Sequence, residues 1–461
     1  MSIVAAYMVP HPPMIVPQVG RGSEKQIVKT VEAYEQIAAE IAELRPETII
    51  ISSPHAVLYA DYFHISPGKE AAGDLGQFRA KEVSFRETYD RELVEKICAI
   101  AKEKGFPAGT LGERDRRLDH GTMVPLWFVE KYTHDFQLVR IGLSGLPLAD
   151  HYAFGQMIRQ AVEKTGRRAV YIASGDLSHK LQAYGPYGFA PEGPEYDRRI
   201  MDVCGRGAFG ELLDFEESFC DKAAECGHRS FVIMAGALDG VAVEARALSH
   251  EDVTGVGYGI CSFHPGKASE ERRFLKMWRE KQAEAIRKRH EQEDDYVRLA
   301  RETIEKYVRT GERGSVPEWA PAEMREQKAG VFVSIHKDGR LRGCIGTILP
   351  VYGSIAEEIL SNAVSASTRD PRFDPIRPEE LDRLEINVDV LTEPERISGK
   401  EELDVKRYGV IVSSGSRRGL LLPDLDGVDT VDEQVAIAMK KGGITERDRI
   451  TMERFEVIRH I

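Results

Sequence analysis

The sequence predicts an α/β protein in two parts: an α/β domain with a largely parallel central sheet, then a smaller α+β domain. Three observations carry this expectation. Short apolar runs alternate with amphipathic stretches through residues 1–265. A charge-dense segment without strand pattern follows over 266–293. From 294 to 461 a hairpin, further strands and helices resume. A chain of 461 residues has room for two or three domains of about 100–200 residues each.

Taken in order, "SIVAAYMV" reads as a buried strand that ends at a Pro-His corner, His11. Proline fixes its own φ and restricts the residue before it, so such a corner can aim a ring in one direction. "GSEKQIVKTVEAYEQIAAEIAEL" predicts a helix. Ile27, Val28, Val31, Tyr34, Ile37, Ala38 and Ile41 give it an apolar stripe, and Ser23 with Gln26 has capping-box spacing. "ETIIISSPH" is the next strand and also ends in Pro-His, at His55. "FQLVRIGLSG", "RRAVYIASGDLSH" and "VTGVGYGICSFHP" are further strands. The 266–293 segment reads as a solvated helical linker. Beyond it, "DYVRLARETIEKYV" is amphipathic, and "GVFVSIHKDGRLRGCIGT" is a hairpin turning at Lys-Asp-Gly. "LEINVDVLT" is a strand, and "VDEQVAIAMKKGG" is a helix stopped by glycine.

Composition narrows the function. The hydrophobic fraction of 42% and charged fraction of 30% are those of a soluble globular chain. The net charge of -12 speaks against a nucleic-acid-binding surface. No apolar run approaches the roughly 20 residues that span a bilayer, and no signal-type segment opens the chain. The six cysteines, Cys98, Cys204, Cys220, Cys226, Cys261 and Cys344, form no CxxC pair. Reduced thiols and a cytoplasmic location are expected.

The chemistry gathers where strands end. His11, His55 and the pair Asp176 and His179 each lie just past the C-terminal end of a predicted strand. Ligands in open α/β sheets bind outside those ends. His120 precedes a predicted helix in which Thr122 can cap and Pro125 occupies the first turn. The helix N-terminus disfavours an imidazolium there. A metal site needs a third ligand, and "CDKAAECGHRS" offers Glu225, with Cys226 as the alternative. Two histidines and a carboxylate suit Fe(II), whereas a thiolate suits copper or zinc. The loop "KLQAYGPYGFAPEGPEY" offers Tyr184, Tyr187 and Phe189 as pocket walls. In the tail, "LRGCIG" is a glycine-flanked strand that lets a backbone or ligand approach closely. Arg342 and Cys344 within it form a second candidate site, Cys344 as a nucleophile.

Together "VPHPP", "SPH", "LDHGTMVPL", "SGDLSH" and "ECGHRS" resemble the class III extradiol ring-cleavage dioxygenases, the LigB-like superfamily. Memo-like proteins are its non-dioxygenase branch. The resemblance covers about residues 1–265. It implies that His11 and His55 bind the metal with a third ligand from Glu225–Cys226, glutamate in the dioxygenases and cysteine in the Memo branch. It implies acid–base and substrate-contacting roles for His120 and His179, with Asp176 supporting them. The function implied is an Fe(II)-dependent dioxygenase that opens a catecholic ring with dioxygen. The alternative is a Memo-like copper or zinc protein without ring cleavage. The tail, about residues 295–461, resembles the AMMECR-type domain through "LRGCIGT", "RDPRFDP" and "RGLLLPDL". The fusion resembles the AmmeMemoRadiSam system protein A family, which implies a radical-SAM partner. Expected partners are thus a small aromatic substrate, dioxygen, that radical-SAM protein and further copies of the chain, but neither nucleic acid nor membrane.

Overall fold

The computed structural model describes residues 2–114, 117–425 and 427–461. The chain divides into two compact units, 1–279 and 280–461.

In the first unit the main elements are β1 (Ile3–Val9), α1 (Val28–Leu44), β2 (Thr48–Ser53), β3 (Glu70–Leu75), β4 (Ala80–Thr88), α2 (Arg91–Glu103), α3 (His120–Val129), β5 (Gln137–Gly142), α4 (Leu148–Thr165), β6 (Ala169–Ser174), α5 (Glu192–Arg206), α6 (His228–Ala237), β7 (Val241–Glu251) and β8 (Tyr258–Ala268). The central sheet runs β5-β2-β6-β1-β8-β7. The first four strands are mutually parallel, and β8 and β7 add an antiparallel edge. Both faces are covered. Along β1, Ala6 and Met8 enter one core, with α2, α4 and α6. Ala5, Tyr7 and Val9 enter the other, with α1 and α3. This two-sided burial is why β1, β2 and β6 read as continuous apolar runs rather than alternating ones. The carboxyl ends of three adjacent strands, β2, β6 and β1, therefore deliver His55, Asp176 and His11 to one edge of the sheet.

Two expected helix starts differ. Ser23 caps nothing: Ser23–Ile27 is a short 3-10 turn and α1 begins at Val28. Gly22 takes a left-handed conformation there, and its N–H is satisfied by Glu24 Oε2 at 2.8 Å. The helix α3 is capped by Asp119 rather than Thr122, and this moves Pro125 from the first turn to the helix interior.

The charged segment is a helix, α7 (Phe274–Gln292). It is not a free spacer at its start. Leu275 is buried in the first unit's core, and Phe274 and Trp278 pack against it. The second unit contains α8 (Asp295–Thr310), β9 (Val331–Lys337), β10 (Arg340–Gly346), α9 (Ile355–Thr368), β11 (Leu384–Leu391), β12 (Glu395–Ile397), β13 (Gly409–Ser414), β14 (Arg417–Leu421), α10 (Val431–Lys441), β15 (Thr451–Phe455) and β16 (Val457–His460). Two antiparallel sheets result, β10-β9-β11-β16 and β12-β15-β13-β14. The expected hairpin is β9–β10, turning at Asp338 and Gly339, both at positive φ as a two-residue hairpin turn requires. All six cysteines are free thiols. Among the described residues no helix is long and apolar enough to cross a membrane.

Candidate metal centre

The Pro-His corner after β1 is held from both sides. Tyr34 of α1 donates to the Pro10 carbonyl, and the His11 N–H donates to Asp176 Oδ1 at 2.8 Å. The ring's protonation follows from a neighbour. Ser174 Oγ donates its single hydrogen to the Gly121 carbonyl at 2.6 Å. It can then only accept from His11 Nδ1, 2.9 Å away. His11 is therefore the Nδ1–H tautomer, and its Nε2 lone pair faces the site. That nitrogen lies 3.1 Å from His55 Nε2 and 3.7 Å from Cys226 Sγ.

His55 is positioned by the same logic. Its N–H donates to Ser53 Oγ at 3.2 Å, and Ser53 Oγ donates to Asp119 Oδ1 at 2.6 Å. Asp119 also accepts from the Thr122 N–H and hydroxyl, at 3.0 and 2.9 Å, and faces the buried Arg140 at 3.7 Å. One carboxylate thus joins the end of β2 to the start of α3. His120, the first residue of α3, lies with its ring tilted over His55 at 4.0 Å and edge-on to His11 at 5.4 Å.

These imidazoles are neutral. Burial and the adjacent His55 hold His11 down to about 3. Burial, His55 and His11 hold His120 at about 3. Burial likewise lowers His55 and His179. Neutral rings with lone pairs are what a cation needs. Cys226 completes the set: its Sγ and one ring nitrogen from each of His11 and His55 all lie within 4.8 Å of one another. Burial, Asp176 and Glu225 push its thiol well above the ordinary range. A metal ion would reverse that and hold it as thiolate. The donor set, two lone-pair imidazoles and one thiol in mutual reach, fits zinc or copper.

Glu225 is not brought into this cluster. Its Oε2 accepts from the His228 N–H at 2.6 Å and so satisfies the start of α6. It lines a separate small cavity with Cys220, His228 and Arg229, where burial raises it to about 7. Cys226 reaches the site because Gly175 and Gly227 let two chain segments touch backbone to backbone: a Cβ on Gly175 would collide with Gly227 Cα. Asp176 is buried beside Cys226, and its N–H donates to Cys226 Sγ at 3.3 Å. His179 shares that neighbourhood.

A cleft of about 940 Å³ opens at His55, Asp119 and His120. Its far wall is the β3–β4 hairpin, with Ala72, Asp74, Phe85 and Arg86. The sequence reading missed this hairpin, although "KEVSF" alternates polar and apolar residues as a strand should. The aromatic loop expected to wall the pocket does not line the cleft. Tyr184, Tyr187 and Phe189 are exposed, and only Tyr187 touches a site residue, stacking on His179 at 5.1 Å.

In the second unit, Cys344 lies on the edge strand β10. Its N–H donates to Asp370 Oδ2 at 2.9 Å and its carbonyl accepts from Arg372 at 3.2 Å. The "RDPRFDP" segment therefore covers the edge as a neighbouring strand would. Arg342 donates to both oxygens of Glu380 at 3.0 Å.

The family model for the catalytic LigB subunit of aromatic ring-opening dioxygenase matches residues 5–261, more than half of the chain. The chain belongs to the LigB family. The AMMECR1 family model matches residues 297–460, so the LigB domain is followed by an AMMECR1 domain. The chain is 41% identical to protein CA_C1420 of Clostridium acetobutylicum, covering 100% of this chain and 99% of that one. It is 51% identical over 171 residues to a Thermotoga maritima protein, covering 36% of this chain and 98% of that one. Among solved structures, PH0010 of Pyrococcus horikoshii is 36% identical, covers 36% of this chain and 88% of its own, and has a TM-score of 0.33. JW3007 of Escherichia coli K12 is 15% identical, covers 56% and 99%, and has a TM-score of 0.39.

Proposed function

We propose that the LigB domain is a metal-dependent enzyme of small molecules whose ion, zinc or copper, is held by His11, His55 and Cys226. The observation that carries this reading is the placement of Cys226 Sγ 3.7 Å from His11 Nε2, while Glu225 serves the His228 N–H. A thiolate in the third position favours these metals over Fe(II), and this disfavours the ring-opening chemistry associated with the family. A bound ion of this class supplies Lewis acidity at the mouth of the cleft. The chain supplies the rest. The cleft beside His55 admits the substrate, and neutral His120, tilted over His55 at its edge, can exchange a proton there.

Metal content and X-ray absorption on the protein purified without chelator test this reading. Zinc or copper with a metal–sulfur distance of about 2.3 Å is expected, lost in Cys226→Ser and kept in Glu225→Gln. Iron bound only by nitrogen and oxygen, lost in Glu225→Gln and kept in Cys226→Ser, would overturn it and restore the extradiol dioxygenase reading with dioxygen and a catecholic substrate.

A further inference from the structure

Cys226 belongs to two sets of potential ligands, not one. The first joins it to His11 and His55. The second joins it to Asp176 and His179, whose ligand atoms and Cys226 Sγ also lie within 4.8 Å of one another. The two sets share only the sulfur. Tetrahedral zinc, with bonds of about 2.0–2.3 Å, separates its ligands by about 3.3–3.8 Å. Each trio can close on an ion by small movements, but the five donors do not form one such shell.

Two features of the second trio ask for a cation. Asp176 is buried, only 8% exposed, and no lysine or arginine pairs with it among the described residues. Its Oδ1 accepts the His11 N–H, which leaves Oδ2 for another contact. A buried carboxylate without a counter-charge is costly. In addition, His179 Nε2 is buried and has no hydrogen-bond partner among the described residues. Buried polar atoms left without partners are rare and call for an explanation such as an ion. The His179 ring is held in plane by its stack on Tyr187, and the "SGDLSH" segment is pinned to the Cys226 segment by the Gly175–Gly227 contact.

We propose that Asp176, His179 and Cys226 hold a second zinc ion, joined to the first through the Cys226 thiolate. This rests on the His11–His55–Cys226 reading. One sulfur, one imidazole and one carboxylate are all donors that zinc accepts. The second ion also gives the buried Asp176 the positive partner that no lysine or arginine among the described residues provides. Binding releases the Cys226 thiol proton to solvent once, and no electron is transferred. Paired ions about 3.5–4 Å apart act together on one bound substrate.

The full-length protein, stripped of metal and re-equilibrated with excess zinc, then gel-filtered, is assayed for zinc per chain. X-ray absorption is recorded on the same samples. Two zinc ions per chain are expected, with a metal–metal distance of about 3.5–4 Å. His179→Ala and Asp176→Asn should each fall to one zinc and lose the metal–metal signal, with unchanged circular dichroism. One zinc in the wild type, or two retained in both variants, overturns the proposal and leaves the first site standing. No zinc or copper in the wild type overturns the first site as well.

Discussion

Cys226 and Cys344 each sit in a dense, glycine-containing motif, "ECGH" and "LRGCIG", yet their surroundings differ in kind. Around Cys226 the donors converge without saturating one another: His11 Nε2 offers a lone pair, and among the described residues His179 Nε2 has no hydrogen-bond partner and Asp176 no lysine or arginine counter-ion. Around Cys344 the contacts are complete. Asp370 takes its N–H, Arg372 serves its carbonyl, and Ser334 donates to its sulfur at 3.2 Å. The lesson is that motif density does not separate chemistry from architecture. Unspent hydrogen-bonding capacity does. Cys344 is a residue of a covered sheet edge, and among the described residues no imidazole is bonded to it.

The contrast can be broken most forcefully at the backbone crossing. Gly175→Ala drives a methyl group into Gly227 Cα. Neither segment can yield without moving a ligand, so a loss of about 3 kcal/mol, the upper end for overpacking, is expected, together with loss of metal. Denaturant titration and metal analysis check both. Next comes the covered edge. Asp370→Ala leaves the Cys344 N–H unserved and strips Arg372 of its carboxylate. It should destabilise the AMMECR1 domain by about 1–3 kcal/mol and leave metal content unchanged. A metal loss in that variant would show that the two cysteines are not independent.

A pH prediction follows for the same domain. Burial pushes Glu380 up, but hydrogen bonds from Arg342 and Lys337 outweigh it and hold the group at about 2. Its folded value lies below the ordinary glutamate value of about 4.3. The stabilisation is therefore complete above that value and disappears as pH falls through about 2. Glu380→Gln should flatten the stability change of this domain between those limits, as followed by circular dichroism. The smallest effect is expected at Cys344→Ala. The serine hydroxyl and the two backbone bonds find other or unchanged partners, so stability should shift by less than about 1 kcal/mol. A larger loss, or a lost activity, would give Cys344 a role beyond the edge.

Much of this was legible in the sequence for physical reasons. Paired Pro-His corners after buried runs reveal strand ends, and strand ends in a parallel sheet share an edge; His11 and His55 followed from that. The hairpin at Asp338-Gly339 was legible because few dipeptides tolerate two positive φ values. What stayed hidden depends on direction. Glu225 and Cys226 are adjacent, and only the path of the chain into α6 decides which faces the ligands. The caps failed for a related reason: a 3-10 turn delays α1 to Val28, where no side chain caps it, and Asp119 rather than Thr122 caps α3, through contacts that spacing alone does not rank.

Pro125, displaced into the interior of α3, has a reach beyond its own helix. An ordinary residue there would donate its N–H to the carbonyl four positions back, at Gly121. Proline has no such hydrogen, and the Gly121 oxygen is left open for the Ser174 hydroxyl. A missing hydrogen on one helix thereby commits a hydroxyl on a strand, and the hydroxyl dictates which face of an imidazole stays bare. Pro125 is no ligand itself, yet by leaving the Gly121 carbonyl unshared it favours the tautomer in which His11 Nε2 can serve a cation.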